Sequence, residues 1–161
     1  MDLIYVGKLV NTHGLKGEVK ILSDFKYKKD VFKIDNPLYI NDNKYIIKSY
    51  RKHKMFDMIT LEGITSIEQA ELLKGLSIYI KKSEYKFNGI LDEDLIGLEV
   101  YDNDIYKGKI IDIYKTNSSD LLVIEGNNKH MVPNISEFVK EIDLENNKVY
   151  IEYIRGLDNE D

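Results

Sequence analysis

Short apolar or alternating runs of three to eight residues recur along the whole chain, and this repetition limits the possible folds more than any other feature. Polar groups that form tight turns separate the runs, among them Asn41–Asn43, Asn127–Asn128 and Asn146–Asn147. Many short strands joined by such turns are typical of a barrel or a sandwich, so the sequence predicts an all-β protein. The runs interpreted as strands are Ile4–Val10, Glu18–Leu22, Pro37–Ile40, Tyr45–Tyr50, Met55–Glu62, Ser77–Ile80, Leu98–Tyr101, Lys107–Tyr114, Leu121–Glu125, His130–Val132 and Lys148–Tyr153.

One segment, Thr65–Gly75, departs from this pattern and predicts a single short helix. Thr65 and Glu68 have the spacing of a capping box, and Gly75 supplies the residue that ends a helix. The composition otherwise favours strands, because tyrosine is frequent, with 12 residues, and Ala70 is the only alanine. We expect the helix to plug or flank a first barrel.

The polar stretch Lys81–Glu93 contains Asn88–Gly89 and is the best candidate for a linker. Residues 1–86 hold 16 Lys+Arg and 11 Asp+Glu, a net charge of +5, whereas residues 87–161 hold 7 and 17, a net charge of −10. Surface charge can drift at random between domains, or the halves can bind different partners: the basic one an RNA backbone, the acidic one a basic protein. We predict two small β-barrel domains, residues 1–86 and 90–161.

The composition and the terminal segment restrict the class of protein. Cysteine is absent, which excludes disulfides and thiolate chemistry and fits a reducing compartment. The opening residues contain no apolar stretch of signal-peptide length, and no later run approaches the ~20 apolar residues of a membrane span. We expect a cytoplasmic monomer with no membrane partner.

The motifs of the sequence do not favour catalysis. Gly14 and Gly17 suggest a phosphate loop, but that motif requires Gly-Lys followed by Ser or Thr before a helix, and here Glu18 and a strand follow. The three histidines lie far apart, without HExxH or other metal-ligand spacing, and no Gly-x-Ser-x-Gly elbow occurs. We therefore expect no catalytic residue, metal or cofactor; an enzyme whose site is assembled from distant positions is the less favoured alternative.

Cationic residues cluster at three places in the first half. Arg51–Lys54 lies between two predicted strands, Lys26–Lys29 includes Tyr27, and the loop Thr12–Gly17 carries a histidine and a lysine. Such loops are often only solvated, and Tyr27 can be a half-buried strand-edge residue; alternatively the cations bind phosphate and the tyrosine stacks on an unpaired base. The candidate RNA-binding residues are His13, Lys16, Lys26, Lys28, Lys29, Arg51, Lys52, His53 and Lys54.

A series of short motifs gives a more specific indication. In chain order they are Gly7–Lys8, Thr12–Val19, Arg51–Lys54, Glu62–Ile64, Glu68–Gly75, Asp94–Val100, Val132–Pro133, Phe138–Val139, Ile142–Asp143 and Gly156–Leu157. In this order and spacing they resemble the RimM family of ribosome maturation factors over nearly the whole chain. Each motif alone is weak, but their order together is specific.

The resemblance implies a first barrel similar to domains of translation factors and a second that is a PRC barrel. It also implies a non-enzymatic factor that binds the free or immature small (30S) subunit and assists late assembly of its head and 16S rRNA processing. The implied partners are small-subunit ribosomal protein nineteen, through the PRC barrel, and 16S rRNA. The alternative with the same fold is a general RNA-binding module without a specific ribosomal protein partner.

Two adjacent positions depart from the family pattern. Many members carry two adjacent tyrosines shortly before the Asp-Leu-Ile-Gly motif, and here Ile90 and Leu91 occupy those positions. Apolar contact survives this change, but a hydrogen bond from a tyrosine hydroxyl does not. We predict that Ile90, Leu91, Asp94 and Leu95 contact the protein partner.

Overall fold

The computed structural model describes residues 2–153, and these divide between two compact units, residues 1–88 and 89–161 of the chain. The prediction of an all-β protein is confirmed, since strands dominate both units. The family motif Gly156–Leu157 lies outside the described residues.

The first unit is a closed six-stranded barrel in the order β1-β2-β5-β4-β3-β6. All of its strand pairs are antiparallel, and the long strands β1 and β4 carry bulges that help the sheet to bend. Its strands are β1 Leu3–His13, β2 Glu18–Leu22, β3 Pro37–Ile40, β4 Asn43–His53, β5 Phe56–Leu61 and β6 Ser77–Lys81.

Alternating side chains fill this barrel. In β6, for example, Ile78 and Ile80 are fully buried, whereas their neighbours Ser77, Tyr79 and Lys81 are only half-buried. Side chains alternate across a strand, so one face of each strand supplies the core and the other faces outward. Burying each large aliphatic side chain contributes about 1.5–3 kcal/mol, which makes this alternation the main local determinant of the barrel.

The described part of the chain contains three short helices, whereas the sequence predicts only one. They are α1 Lys28–Val31, α2 Ile67–Glu71 and α3 Asp92–Leu95, and a 3-10 turn at Lys82–Glu84 lies between β6 and α3. Helices of one turn have no sequence periodicity to reveal them, which is why α1 and α3 are missed. Within residues 2–153, none of the helices has the length and apolar character needed to cross a bilayer.

The helix predicted at Thr65–Gly75 forms, but its capping box lies one residue later than predicted. Ser66, not Thr65, is the N-cap, and its hydroxyl accepts from the backbone N–H of Gln69 at 3.3 Å. The Gln69 side chain in turn accepts from the backbone N–H groups of Thr65 and Ser66, at 2.7 and 3.2 Å. The side-chain oxygen of Gln69 thus accepts from both backbone N–H groups, so the predicted capping box of Thr65 and Glu68 is wrong.

The second unit is a six-stranded sheet in the order β10-β9-β8-β7-β12-β11. β12 and β7 pair in parallel, whereas its other pairs are antiparallel. Its core includes Leu122 and Ile124 of β9, where the sequence predicts a buried run. The strands are β7 Glu99–Asp102, β8 Ile105–Lys115, β9 Asp120–Glu125, β10 Lys129–Pro133, β11 Val139–Asp143 and β12 Lys148–Ile151.

Candidate nucleic-acid interface

The ends of two distant strands converge on the first barrel. His13 ends β1 and His53 ends β4, and these strands are three places apart in the barrel order. Even so, the centroids of their imidazole rings lie 6.4 Å apart, with the ring planes tilted by 40°. The structure thus brings together two predicted RNA-binding residues that are 40 positions apart in the sequence.

Arg51 and Glu18 form a two-pronged ion pair near these histidines. Nε of Arg51 donates to Oε2 of Glu18 and Nη2 donates to Oε1, both at 2.8 Å. The hydrogen bonds from Arg51 hold the pKa of Glu18 below its ordinary value of 4.5, and partial burial opposes this shift. The fork uses only some of the guanidinium N–H groups, so others are left for a further acceptor such as a phosphate.

Asp57 is a buried carboxylate that holds lysines from two elements. Its side chain is 1 % exposed, Oδ2 accepts from Lys28 Nζ at 3.0 Å, and Oδ1 lies 3.9 Å from Lys52 Nζ. Tyr50 donates its hydroxyl to Oδ1 at 2.6 Å. A buried carboxylate without partners would be strongly destabilising, and these contacts offset that cost. Two ammonium groups and a phenol hydroxyl thus converge on one buried carboxylate.

The pKa shifts in this cluster follow from burial and from Asp57. Burial is the largest single influence on Lys28 and lowers its pKa, but the hydrogen bond to Asp57 and the negative charges of Asp57 and Asp24, acting together, raise the net pKa. Burial raises the pKa of Tyr50 to about 12, and its hydrogen bond to Asp57 acts in the same direction. Lys28 therefore remains charged and Tyr50 neutral across the physiological pH range.

Further cations lie in the adjoining turns and on β2. Lys16 is exposed in the turn after β1, and Lys54 is exposed in the turn after β4 with φ of +57°. Nζ of Lys20 lies 4.7 Å from the centroid of the Phe56 ring. We call the following residues the basic surface: His13, Lys16, Lys20, Lys28, Arg51, Lys52, His53 and Lys54.

Gly17 gives the turn of Lys16 its shape. Its φ is +90°, a conformation that L side chains rarely adopt, and a Cβ added there would lie 3.0 Å from the carbonyl oxygen of Ile64. The turn therefore packs closely against the segment that leads into α2. This close approach is the structural reason for the second glycine of the Thr12–Gly17 loop.

The patch predicted at Lys26–Lys29 is divided by the structure. Lys28 turns toward Asp57, Lys29 is exposed on α1, and Nζ of Lys26 lies 5.4 Å from the centroid of the Tyr27 ring. Tyr27 is half-buried and stacks on Phe87 with 5.1 Å between ring centroids and 21° between planes. Of the two alternatives for Tyr27, these contacts favour the half-buried structural residue over the one that stacks on a base.

In the second unit, two of the residues predicted to contact a protein partner are buried. Leu91 and Leu95 are 4 % and 3 % exposed, and Leu95 belongs to the core cluster of this unit. Ile90 is half-buried against the same cluster, and Asp94 Oδ2 accepts from the backbone N–H of Leu91 at 3.0 Å. The side chains of Leu91 and Leu95, at the one-turn helix α3, pack inward. The prediction that these two residues contact a protein partner directly is therefore corrected.

The outer face of β8, β9 and β10 exposes apolar side chains instead. Tyr114 is 58 % exposed and Met131 is 43 % exposed. Tyr114 lies opposite Leu121 in the β8–β9 pairing, and Met131 lies opposite Val123 in the β9–β10 pairing. The alternate residues of β9, Leu122 and Ile124, are fully buried in the core, so Tyr114 and Met131 face away from it. We call Tyr114, Leu121, Val123 and Met131 the outer apolar face.

Lys115, the last residue of β8, forms salt bridges with two aspartates. Nζ of Lys115 lies 2.7 Å from Asp92 Oδ2 and 3.0 Å from Asp120 Oδ2. Burial is the largest single influence on Lys115 and lowers its pKa, but the hydrogen bonds to the two carboxylates and their negative charges together raise the net pKa. The contacts join α3 to the β8–β9 hairpin. Among residues 2–153, the structure forms no group of His, Asp and Glu side chains suited to hold a metal ion.

Sequence reasoning missed Glu18, Lys20 and Asp57 as residues of the site. Glu18 and Lys20 alternate with buried Val19 and Ile21 along β2, so both lie on the outward face of this strand. Strand alternation was a sufficient signal for them. Asp57 had no such signal, because its role depends on Lys28, which is brought to it from another part of the chain.

Comparison with known proteins gives a consistent result over both units. The chain matches the RimM N-terminal domain over residues 4–85 and the RimM PRC barrel domain over residues 92–157. The ribosome maturation factor RimM of Ligilactobacillus salivarius is 43 % identical, with 98 % of this chain and 100 % of that protein covered. That of Staphylococcus aureus strain bovine RF122 / ET3-1 is 37 % identical, with 96 % and 98 % covered. A solution structure of the N-terminal domain of RimM from Thermus thermophilus is 19 % identical, covers 55 % of this chain and 100 % of that one, and has a TM-score of 0.48.

Two all-β units, matched in order by both domains of one kind of ribosome maturation factor, define the class of this protein. The chain belongs to the RimM family. The family expected from the order of the motifs is therefore confirmed, as is an all-β architecture whose second part is a PRC barrel domain.

Proposed function

We propose that this protein binds the free or immature small ribosomal subunit and assists late assembly of its head and 16S rRNA processing, without catalysing a reaction itself. The observation that carries the proposal is the division of charge within a RimM family member, +5 in residues 1–86 and −10 in residues 87–161. An assembling subunit offers both an RNA backbone and basic proteins, and each unit is complementary to one of these. We place this activity in the cytoplasm and expect a monomer.

The basic surface supports the part of the proposal that concerns rRNA. Lys16 and Lys54 are exposed in turns, and the Lys52 side chain is 51 % exposed, so their ammonium groups are accessible to phosphate. Arg51 keeps N–H groups beyond its fork onto Glu18. Phosphate contacts of this kind give affinity and orientation with little sequence preference, which suits a factor that recognises the shape of an RNA region.

The outer apolar face supports the part that concerns a protein partner. Tyr114 and Met131 are exposed in the unit that carries the net negative charge, and Asp112 and Glu125 are exposed on the same two hairpins. Exposed aromatic and methionine side chains ringed by charge are typical of protein-binding surfaces. The partner we propose is small-subunit ribosomal protein nineteen, bound through the PRC barrel, with Ile90 and Asp94 as further candidate contacts.

The mechanism we propose is a shift of population between conformations of the head. A binding protein favours one conformation only by binding it more tightly than the other. The clusters of Asp57 and of Glu18 fix cations in defined places, which reduces the cost of ordering them on contact. An immature head whose phosphates match those places is then stabilised over one whose phosphates do not.

The test is sedimentation of lysate from cells that express the tagged full-length protein. We expect the protein to travel with free small subunits and to be absent from translating ribosomes. The variant K16Q/K52Q/K54Q is expected to shift to the top of the gradient, whereas the matched control K74Q, which removes an exposed lysine outside the basic surface, is expected to behave as wild type. Equal amounts of wild-type protein on free subunits and on polysomes would contradict the proposal.

The general RNA-binding module remains the second candidate, because the basic surface alone would be sufficient for it. The two differ in the role of the outer apolar face. The proposal predicts that Y114A and M131A each weaken binding to small subunits, while I105A, at another exposed apolar position of the second unit, does not. If Y114A and M131A bound small subunits as tightly as wild type, the general RNA-binding function would be favoured.

A further inference from the structure

A groove of about 590 Å³ opens on the first unit, and none of the residues of the basic surface lines it. Its lining includes two tyrosines, Tyr39 and Tyr79, and two lysines, Lys44 and Lys81, with Leu3 at one side. We call these five residues the tyrosine groove. The volume falls within the range of about 300–1,000 Å³ that is usual for sites that bind small organic groups.

Strand pairing aligns the aromatic rings of this region in one row. Tyr79 of β6 lies opposite Tyr5 of β1 on one side and opposite Tyr39 of β3 on the other. Residues opposite each other across neighbouring strands share a face of the sheet. The intervening residues Ile78 and Ile80 are fully buried in the barrel, so the row of tyrosines lies on the outer surface.

The three rings are not equally accessible. Tyr39 is 9 % exposed, and its hydroxyl donates to both carboxylate oxygens of Glu84 at 3.1 Å. Tyr5 is half exposed, and its ring meets that of Tyr79 edge to face, with 5.9 Å between centroids and 73° between planes. Tyr39 is thus a largely buried, hydrogen-bonded part of the groove wall, and half-buried Tyr79 presents aromatic surface to a ligand, whereas Tyr5 packs beside Tyr79 without lining the groove.

Two cations lie next to Tyr39. Nζ of Lys81 lies 4.8 Å from the centroid of the Tyr39 ring, and Lys44 of β4 lies directly opposite Tyr39 in the β3–β4 pairing. Asn41 and Asp42, in the tight turn between those strands, also line the groove. The lining therefore combines aromatic surface, two ammonium groups and polar turn residues, and the carboxylate of Glu84 lies beside it on the Tyr39 hydroxyl.

The tyrosine groove and the basic surface use opposite ends of the same two strands. Leu3 and Lys44 of the groove lie at the start of β1 and β4, whereas the basic-surface residues of these strands lie at their end, namely His13, Arg51, Lys52 and His53. At about 3.3 Å per residue, the two ends of β1 are about 30 Å apart. A ligand in the groove would therefore be a second contact, separate from the one already described.

We propose that the tyrosine groove binds an unpaired nucleotide of an RNA strand, with the base against Tyr79 and the phosphate near Lys44 and Lys81. Base stacking on aromatic side chains next to cations is the general means by which proteins hold single-stranded RNA. The two ammonium groups beside aromatic surface favour a nucleotide, whose phosphate they can bind, over a basic peptide. A duplex cannot use the groove, because its bases are already stacked and paired.

The test uses the full-length protein and a labelled single-stranded hexauridylate or hexaadenylate, with fluorescence anisotropy as the measurement. We expect Y79L to weaken binding on the order of tenfold, because stacking of one base on an aromatic ring has a contribution of that size. The variant K44Q/K81Q is also expected to weaken binding of the oligonucleotide, and it tests the proposal independently if Y79L does not fold. Y106L, at an exposed tyrosine of the second unit, is the matched control.

The outcomes separate this proposal from the function proposed above. Loss of oligonucleotide binding in Y79L and in K44Q/K81Q, with thermal unfolding unchanged and with K16Q/K52Q/K54Q still binding the oligonucleotide, supports the tyrosine groove. The proposal is overturned if Y79L and K44Q/K81Q bind as wild type does, if only K16Q/K52Q/K54Q loses the oligonucleotide, or if duplex RNA or a lysine-rich peptide binds the groove more tightly. Failure here leaves sedimentation with small subunits intact, since that depends on the basic surface.

Discussion

The ammonium of Lys28 lies 3.0 Å from Oδ2 of Asp57, a carboxylate that is 1 % exposed near the start of β5. Lys28 belongs to α1, which follows β2, so this contact joins α1 to the β4–β5 hairpin. The same carboxylate receives the Tyr50 hydroxyl and lies near Lys52. Asp57 therefore connects the stability of the first barrel to the placement of the cations that we propose for RNA binding.

The substitution Asp57→Asn is expected to reduce the free energy of unfolding by about 1–2 kcal/mol. Asn keeps the shape and can still accept from Tyr50, but Lys28 loses its counter-ion. The loss is smaller than for a fully buried pair because the Lys28 side chain is 24 % exposed and can be hydrated. Urea unfolding measures it, with E62Q, at an exposed carboxylate, as the control. A D57N protein as stable as wild type would show that Asp57 does not hold the cluster together.

Glu18 predicts a specific dependence of stability on pH. Its folded-state pKa is held below 4.5 by Arg51, so the ion pair stabilises the folded protein at neutral pH and this contribution is lost as the pH falls through that lowered pKa. E18Q should therefore have a lower Tm than wild type at pH 7, by about 1–3 °C for a largely solvated pair. The two Tm values should converge toward about pH 3. Parallel Tm curves for the two proteins across this range would contradict the role of Glu18.

Salt dependence reports how many phosphates the basic surface contacts. Each phosphate contact contributes roughly 0.7–0.9 to the slope of log Kd against log salt concentration. K16Q/K52Q/K54Q should therefore reduce the slope for a 16S rRNA head fragment by about 2–3. K74Q should leave it unchanged. A triple variant with the wild-type slope would remove these lysines from the RNA contact, whatever the absolute affinity.

Because Leu95 is buried, we predict that its substitution lowers the stability of the protein rather than removing a direct contact with a partner. Leu95→Ala removes a side chain from the core cluster of the second unit and should cost about 2–5 kcal/mol. Ile96→Ala, next in the chain but 45 % exposed, should change stability by less than about 0.5 kcal/mol. Calorimetry of the two variants checks this. Equal stability of L95A and wild type would restore Leu95 as a candidate for direct contact with a partner.

Local patterns in the sequence were sufficient for most of the strands. Alternation predicted the strand of Ile78 and Ile80, whereas β11 was not among the predicted strands and Arg51–Lys54 was predicted as a loop between strands. The structure instead places Arg51, Lys52 and His53 at the end of β4 and only Lys54 in the turn that follows. Alternation depends on neighbours in the chain, so a single sequence contains it.

Features that depend on distant partners were not predictable in the same way. The contact of Asp57 with Lys28 and the approach of His13 to His53 exist only once the barrel has closed. The burial of Leu91 and Leu95 likewise depends on strands that follow them in the chain. Family resemblance directed attention to Leu91 through the position of a tyrosine pair, and only the packing showed that an apolar residue there turns inward.

The central claim is that this protein favours an immature conformation of the small subunit, and paired titrations test it most directly. Labelled wild-type protein is titrated with small subunits purified from ribosomes and with immature subunits that retain unprocessed 16S rRNA, in the same buffer and salt. We predict that the immature subunits bind more tightly, on the order of tenfold, which corresponds to ~1.4 kcal/mol of differential affinity. Equal Kd values for the two kinds of subunit would contradict the account.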